Sequence, residues 1–319
     1  MEQKLTIGMS ELDITPPARV TLQGQFHTRI STHVESPLMA SVLAVESGGD
    51  AVIFCALDLC GIDLDFSNLV RGLIRQQCPD LPAEKIIFSC THTHTGPNYY
   101  RKITSLHVAA KYLPPGVTFA ESDEAIPDDV WLTDRCAPWI AEKICAAVCA
   151  AWQKRAPGRI SPSFGRAVLG HCRRTVYDDD SAKMYGTTET VNFDALEGGN
   201  DSGVELLYAF AADNTPLGVL VNVACPSQVV ENAYFVSSDY WGKARDGIKA
   251  QLGDAYVVLG LCGAAGDQSP RDLIRRSAGK KRRTDPDMYS LPGAAELGRR
   301  VASLVLANQA EAGAVSTDT

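Results

Sequence analysis

The sequence predicts an α/β fold in which a mixed β-sheet core carries flanking helices, and three observations lead to it. Two β-rich runs, Leu38–Ser47 and Ala51–Leu59, are joined by Gly48-Gly49-Asp50, residues that accept the positive φ of a hairpin turn. Asp65–Cys78 then places Leu69, Val70, Leu73 and Ile74 at helical spacing ahead of another short apolar run, Lys85–Cys90, as a crossover connection would. No stretch repeats internally. A hairpin and crossover helices in one chain require neighbouring strands of both directions.

The remaining elements follow in order. Residues 98–127 show little period and hold Pro114-Pro115-Gly116, which predicts a long surface excursion that covers the histidine loop described below. Ile140, Ile144, Val148 and Trp152 recur every four residues and predict a long amphipathic helix that ends near Ala156-Pro157-Gly158. Strands are expected at Ile160–Leu169, Val204–Ala211 and Leu217–Cys225. Ser238-Asp239 suits the cap of a helix reaching Leu252, and Tyr256–Leu261 reads as a buried strand. Leu297, Val301, Leu304 and Val305 mark a closing helix with Pro292 in its first turn. The expected organisation is a single domain over residues 1–310 and a frayed polar tail at 311–319.

Composition narrows the function. Hydrophobic residues make up 45% of the 319 and charged residues 21%, the balance of a soluble globular protein. Thirty basic residues against 38 acidic ones give a net charge of -8, which argues against nucleic acid as a partner, because phosphate contacts need a basic face. No run approaches the eighteen apolar residues of a membrane span, and the N-terminus lacks a basic segment followed by an apolar one. The ten cysteines are scattered through apolar segments with no CxxC pair. Buried free thiols and a cytoplasmic location are therefore expected.

Five places carry candidate chemistry. His92 and His94 sit on alternate positions of Ser89-Cys90-Thr91-His92-Thr93-His94-Thr95-Gly96-Pro97, where strand alternation would turn both imidazoles to one side. That pair suits a metal, a paired acid and base, or two hydrogen-bonded loop histidines. The small residues of Gly260-Leu261-Cys262-Gly263-Ala264-Ala265-Gly266-Asp267-Gln268-Ser269 fit a tightly packed loop, a phosphate site or an oxyanion pocket; the spacing excludes a P-loop and a GxSxG elbow. Asp58 follows an unbroken apolar stretch, so its carboxylate is expected to meet a cation, a metal or a histidine. Cys225 before Pro226 reads as core or ligand, and the basic run from Arg271 to Arg283 as a solvated loop or an anion-attracting rim.

The order of motifs is more specific than any one of them. Asp13-Ile14-Thr15-Pro16-Pro17, Pro37-Leu38, Leu57-Asp58-Leu59, Thr91 to Pro97, Arg173-Arg174, Ser238-Asp239-Tyr240-Trp241-Gly242 and Gly266-Asp267-Gln268-Ser269-Pro270 together resemble the N-terminal domain of the neutral/alkaline, non-lysosomal ceramidase family, from residue 5 to residue 308. The resemblance is to a short, divergent member. It implies a single zinc that activates water to cleave the amide between a fatty acid and a sphingoid base, and so a place in sphingolipid metabolism. It further implies His92 as a zinc ligand, His94 at the scissile amide, Ser269 as an active-site serine, and Arg174 or Arg173, with Gly266 and Asp267, beside the polar part of the substrate.

Two departures qualify what the resemblance implies. Cys225 stands where the family commonly has a ligand histidine, so zinc would be held by His92, Cys225 and Asp58, or by Asp58, His92 and His94 with Cys225 structural. The glutamate and tyrosine that a later segment of the family supplies show no counterpart up to Thr319. Either the chain is incomplete, or completion of the site would fall to water, substrate or another subunit of a homo-oligomer. The leading expectation is a zinc-dependent hydrolase of N-acyl amide bonds, for which a small or sugar-linked substrate is as suitable as ceramide. The competing expectations are a degenerate member that binds a ligand without turnover, and a phosphate binder built on Gly260–Ser269.

Overall fold

The computed structural model describes residues 5–99, 124–275 and 288–314. It is a mixed α/β structure, and within the span read as one domain the chain forms two compact units. The first comprises Met1–Arg159, Ala211–Asp213 and Glu231–Ser238; the second comprises Ile160–Phe210, Asn214–Val230 and Asp239–Thr319.

In the first unit, β1 (Thr6–Asp13) pairs antiparallel with β4 (Met39–Ser47), and β4 turns back into β5 (Asp50–Leu57). That hairpin uses Gly48 and Gly49 at φ 60° and 83°, the conformation that the glycines were expected to supply. Helix α1 (Leu64–Gln77), capped by Asp63 accepting the Phe66 amide, crosses over to β6 (Ile86–Cys90), which runs parallel to β5. Short strands β2 (Arg19–Leu22), β3 (Arg29–Ile30) and β7 (Val130–Trp131) form a small sheet of their own. Helix α2 (Thr133–Gln153) buries Ile140, Ile144, Val148 and Trp152 against this unit's core. It lies close over β1, where Ser10 donates to the Ala147 carbonyl at 2.6 Å and a side chain at Gly8 would strike the α2 backbone.

Strand β8 (Ala156–Arg166) begins in the first unit, pairing with β1, so Pro157 lies inside a strand rather than in a helix-ending turn. Short strands β9 (His171–Cys172), β10 (Arg174–Tyr177), β11 (Ala182–Met184) and β12 (Phe193–Leu196) follow in the second unit. There β13 (Gly203–Ala211) and β14 (Pro216–Val223) form a hairpin, and α3 (Tyr240–Leu252) crosses over to the parallel strand β15 (Val257–Cys262). Asp239 caps α3 by accepting the Tyr240 amide at 2.8 Å. Strand β16 (Gln268–Ser269) pairs with β9, and α4 (Leu291–Ala314) packs on α3, with Gly298 against Lys243 and Gly247 against Ala302.

Two sequence expectations change. Asn98 and Tyr99, read as the start of a surface excursion, are 3% and 1% exposed, with the Tyr99 ring tilted against Phe66; residues 100–123, including Pro114-Pro115-Gly116, lie outside the described residues. Helix α4 continues through Ala314, into the stretch read as tail. Of the basic run, Arg276, Lys280, Lys281, Arg282 and Arg283 also lie outside the described residues. Among the described residues no helix is long and apolar enough to cross a membrane.

Candidate metal centre

Parallel pairing of β5 and β6 brings their C-terminal ends side by side, with Leu57 opposite Cys90. Beyond those ends the two chains stay joined: the Thr91 amide donates to the Leu57 carbonyl at 2.9 Å and the His92 amide to the Leu59 carbonyl at 3.1 Å. Cys60 and His92 therefore arrive together at the place where parallel strands ordinarily deliver functional groups. The histidine loop is pinned on its other side, since Thr93 and Thr95 both donate their hydroxyls to the Ser237 carbonyl, at 2.8 and 2.9 Å.

The two imidazoles do converge, but not by strand alternation. Strand β6 ends at Cys90, and His92 has φ 63°, a left-handed backbone that costs a non-glycine residue about 1 kcal/mol. This turn brings His92 Nε2 within 3.2 Å of His94 Nε2. His92 Nδ1 lies 2.5 Å from the Cys60 carbonyl, which can only accept, so Nδ1 carries the proton and Nε2 presents its lone pair. His94 Nδ1 faces the buried Glu231 carboxylate at 3.4 Å, an electrostatic contact that favours a proton on that nitrogen too. The two Nε2 atoms thus lie at hydrogen-bonding distance, where they can share a proton or both turn lone pairs to one cation.

Cys60 completes the group. Its Sγ and the histidine nitrogens all lie within 4.8 Å of one another, the one set of three or more metal-capable side chains among the described residues. Two nitrogens on a tetrahedral zinc, each about 2.0–2.1 Å away, stand about 3.3 Å apart, which matches the spacing of the Nε2 atoms. The donor set of one thiolate and two imidazoles suits a borderline-soft divalent ion. Burial pushes the Cys60 thiol up to about 12, opposed by Gln23 and Arg29, so without a cation the sulfur keeps its proton.

Arg29 underlies the centre. It is fully buried and donates to three carbonyls, those of Ala233 at 2.7 Å, Gln23 at 2.8 Å and His94 at 2.5 Å. Burial lowers it to about 10, which leaves it charged at neutral pH. Gly24, at φ 103°, lies flat against the His94 ring; a Cβ there would sit 2.7 Å from His94 Cβ and Cδ2 and nearer still to Cγ.

The other expected site residues have the following surroundings. Asp58 is fully buried, with Oδ2 accepting the Met39 amide at 2.9 Å, so this carboxylate serves the start of β4. Cys225, in the second unit, is fully buried beyond the end of β14; its thiol donates to the Leu169 carbonyl at 3.3 Å, and burial raises it well above the usual thiol range. Ser269 is fully buried on β16, where its Oγ accepts the Arg271 amide at 3.2 Å. Arg174 is paired to Glu197 through its Nε and Nη2 groups, one to each carboxylate oxygen. Arg173 donates to the Gly266 carbonyl at 2.7 Å, and the exposed Asp267 accepts from Gln268 at 2.9 Å. Gly260 is a packing glycine, since a Cβ there would meet the fully buried Trp241 indole at 2.5 Å. Sequence reasoning missed Cys60 and Glu231. Cys60 had a signal in its place just past the end of the strand beside the histidine strand, whereas Glu231 had none.

In comparison with solved structures, a neutral ceramidase from Pseudomonas aeruginosa superposes with a TM-score of 0.72, at 17% identity, over 98% of this chain and 46% of that one. The chain has the neutral ceramidase fold. A ceramidase complexed with C2 matches with a TM-score of 0.70, also at 17% identity, over 98% of this chain and 44% of its own. The chain thus spans less than half the length of these ceramidase structures. No family model and no curated protein matches the sequence.

Proposed function

We propose that the chain is a zinc-dependent hydrolase of amide-type, N-acyl bonds, ceramidase-like in its chemistry and acting on a small-molecule substrate of lipid type. The observation that carries this reading is the Cys60, His92 and His94 group in a ceramidase-type fold, with an acceptor facing the Nδ1 of each histidine. In this reading those three side chains hold the metal in place of the expected set of His92, Cys225 and Asp58. Three protein ligands are the pattern of a catalytic rather than a structural zinc. When bound, zinc supplies a water of lowered pKa and a Lewis acid for the amide carbonyl. The protein's own part is orientation: the Cys60 carbonyl fixes the His92 tautomer, the Glu231 carboxylate faces His94 Nδ1, and Arg29 fixes the loop that carries His94. Ten free thiols support the companion proposal of a reducing, cytoplasmic setting.

The test is hydrolysis of an N-acyl panel that includes ceramide and short N-acyl amides, by zinc-loaded protein and by His92→Ala. The reading expects turnover that a chelator stops, zinc restores and His92→Ala lacks. Stoichiometric zinc with no turnover on any member of the panel would overturn the hydrolase assignment and favour a non-catalytic binding role.

A further inference from the structure

The backbone that holds His94 in place also carries apolar side chains into solvent. Residues 23–35 and 231–236, both in the first unit, are laced into a ribbon. Gln25 donates to the Glu231 carbonyl at 3.3 Å and the Thr32 amide to the Tyr234 carbonyl at 2.7 Å. Further out, the Val236 amide donates to the His33 carbonyl at 2.9 Å and the Glu35 amide to the Val236 carbonyl at 2.8 Å. The inner end of the ribbon is fastened to the metal centre. Arg29 joins the carbonyls of Gln23 and Ala233 to that of His94, Gly24 packs on the His94 ring, and Glu231 faces its Nδ1.

Among the described residues of this unit, exposed large apolar side chains fall in two places. Leu64, Leu69 and Ile87 lie on α1 and β6, whereas Phe26, Val34 and Tyr234, at 56%, 49% and 50% exposure, lie on the ribbon. Single exposed apolar side chains are ordinary, but three on one short ribbon beside a candidate reactive centre call for a ligand. Consecutive Cα atoms are about 3.8 Å apart, so the Phe26 Cα is within about 8 Å of the Gly24 Cα, and the Tyr234 Cα is about 4 Å from that of Ala233. A molecule held at the metal by its polar end can therefore lay an apolar chain on these two rings, whose hydrogen-bonded backbone is ordered before binding. We infer that Phe26 and Tyr234 set specificity for the unbranched acyl chain of the substrate. The inference rests on the N-acyl hydrolase reading for the end of the substrate that the metal holds.

The experiment is isothermal titration of the whole protein, in the presence of zinc, with hexanoate, octanoate and decanoate, which carry the acyl chain and have no bond to cleave. Each methylene taken from water contributes about fourfold in affinity, so wild type should bind about tenfold or more tighter for every two methylenes added. Phe26→Ser and Tyr234→Ser should each cut that step to about threefold or less. Phe26→Leu should keep it, and so should Leu69→Ser, which removes an exposed apolar side chain from α1. Circular dichroism should be unchanged throughout. No binding of decanoate, equal affinity for the three carboxylates in wild type, a wild-type step in either serine variant, a lost step in Phe26→Leu, or the same loss in Leu69→Ser would each overturn the inference. Since the titration reads no turnover, the two readings fail separately. Chain-length-dependent binding in a protein that cleaves no amide removes the hydrolase and keeps the two rings, whereas amide cleavage with equal affinity for the carboxylates does the reverse.

Discussion

Replacing Gly24 by alanine isolates the geometry of the proposed centre from its ligands. The glycine has φ 103°, and the added Cβ would meet the His94 side chain at 2.7 Å or less. A left-handed backbone costs a residue with a Cβ about 1–2 kcal/mol, and the overpacking adds about 1–3 kcal/mol. Gly24→Ala should therefore lose about 2–5 kcal/mol in urea unfolding, the sum of those terms. Gly49→Ala provides the comparison, because Gly49 has φ 83° and nothing within 4 Å of a Cβ. It should lose only the backbone part. If His94 holds the metal, displacing its ring should also weaken zinc binding about tenfold to a hundredfold, as changes behind a ligand do, measured by competition with a chromophoric chelator. Gly49→Ala should bind zinc as wild type. Wild-type zinc affinity in folded Gly24→Ala would refute His94 as a ligand.

Arg29→Met would strip donors from the carbonyls of Gln23, His94 and Ala233, each worth about 1–3 kcal/mol when buried without a partner; denaturant titration should register a loss of about 3 kcal/mol or more. Gly260→Ala should destabilise by about 1–3 kcal/mol through its clash with Trp241, with zinc content unchanged by elemental analysis. Hydrogen bonds from Arg299, then Arg300, hold the Glu296 carboxyl below its ordinary value of 4.5. Its stabilising contribution is present above pH 4.5 and is lost as pH falls through the lower folded value, so Glu296→Gln should flatten stability against pH in that acidic window while changing nothing near pH 9.

Much of the fold was legible because its cues are local. Gly48-Gly49 dictated the β4–β5 turn, the spacing of Ile140 to Trp152 marked α2, and Asp239 announced the start of α3. The short strands between Arg174 and Leu196 were not legible, because three or four residues carry no period and are held by pairing with distant partners. At the site the histidine pair was visible in the sequence, but the cause of its convergence was not. The left-handed turn at His92 is imposed by hydrogen bonds to Leu59 and Cys60, which only the parallel β5–β6 pairing creates. Cys60 passed as one more buried thiol among ten, since neighbouring apolar residues are equally consistent with core. Glu231 lies far along the chain from His94, and only the folded segment Glu231–Ser238 brings them together.

Zinc content by elemental analysis of wild type, Cys60→Ala, His92→Ala and Cys225→Ala tests the central claim most directly. The account predicts one zinc per chain in wild type and Cys225→Ala, and its loss in Cys60→Ala and His92→Ala. Zinc retained in Cys60→Ala but lost in Cys225→Ala, or no zinc in wild type after metal addition, would contradict it.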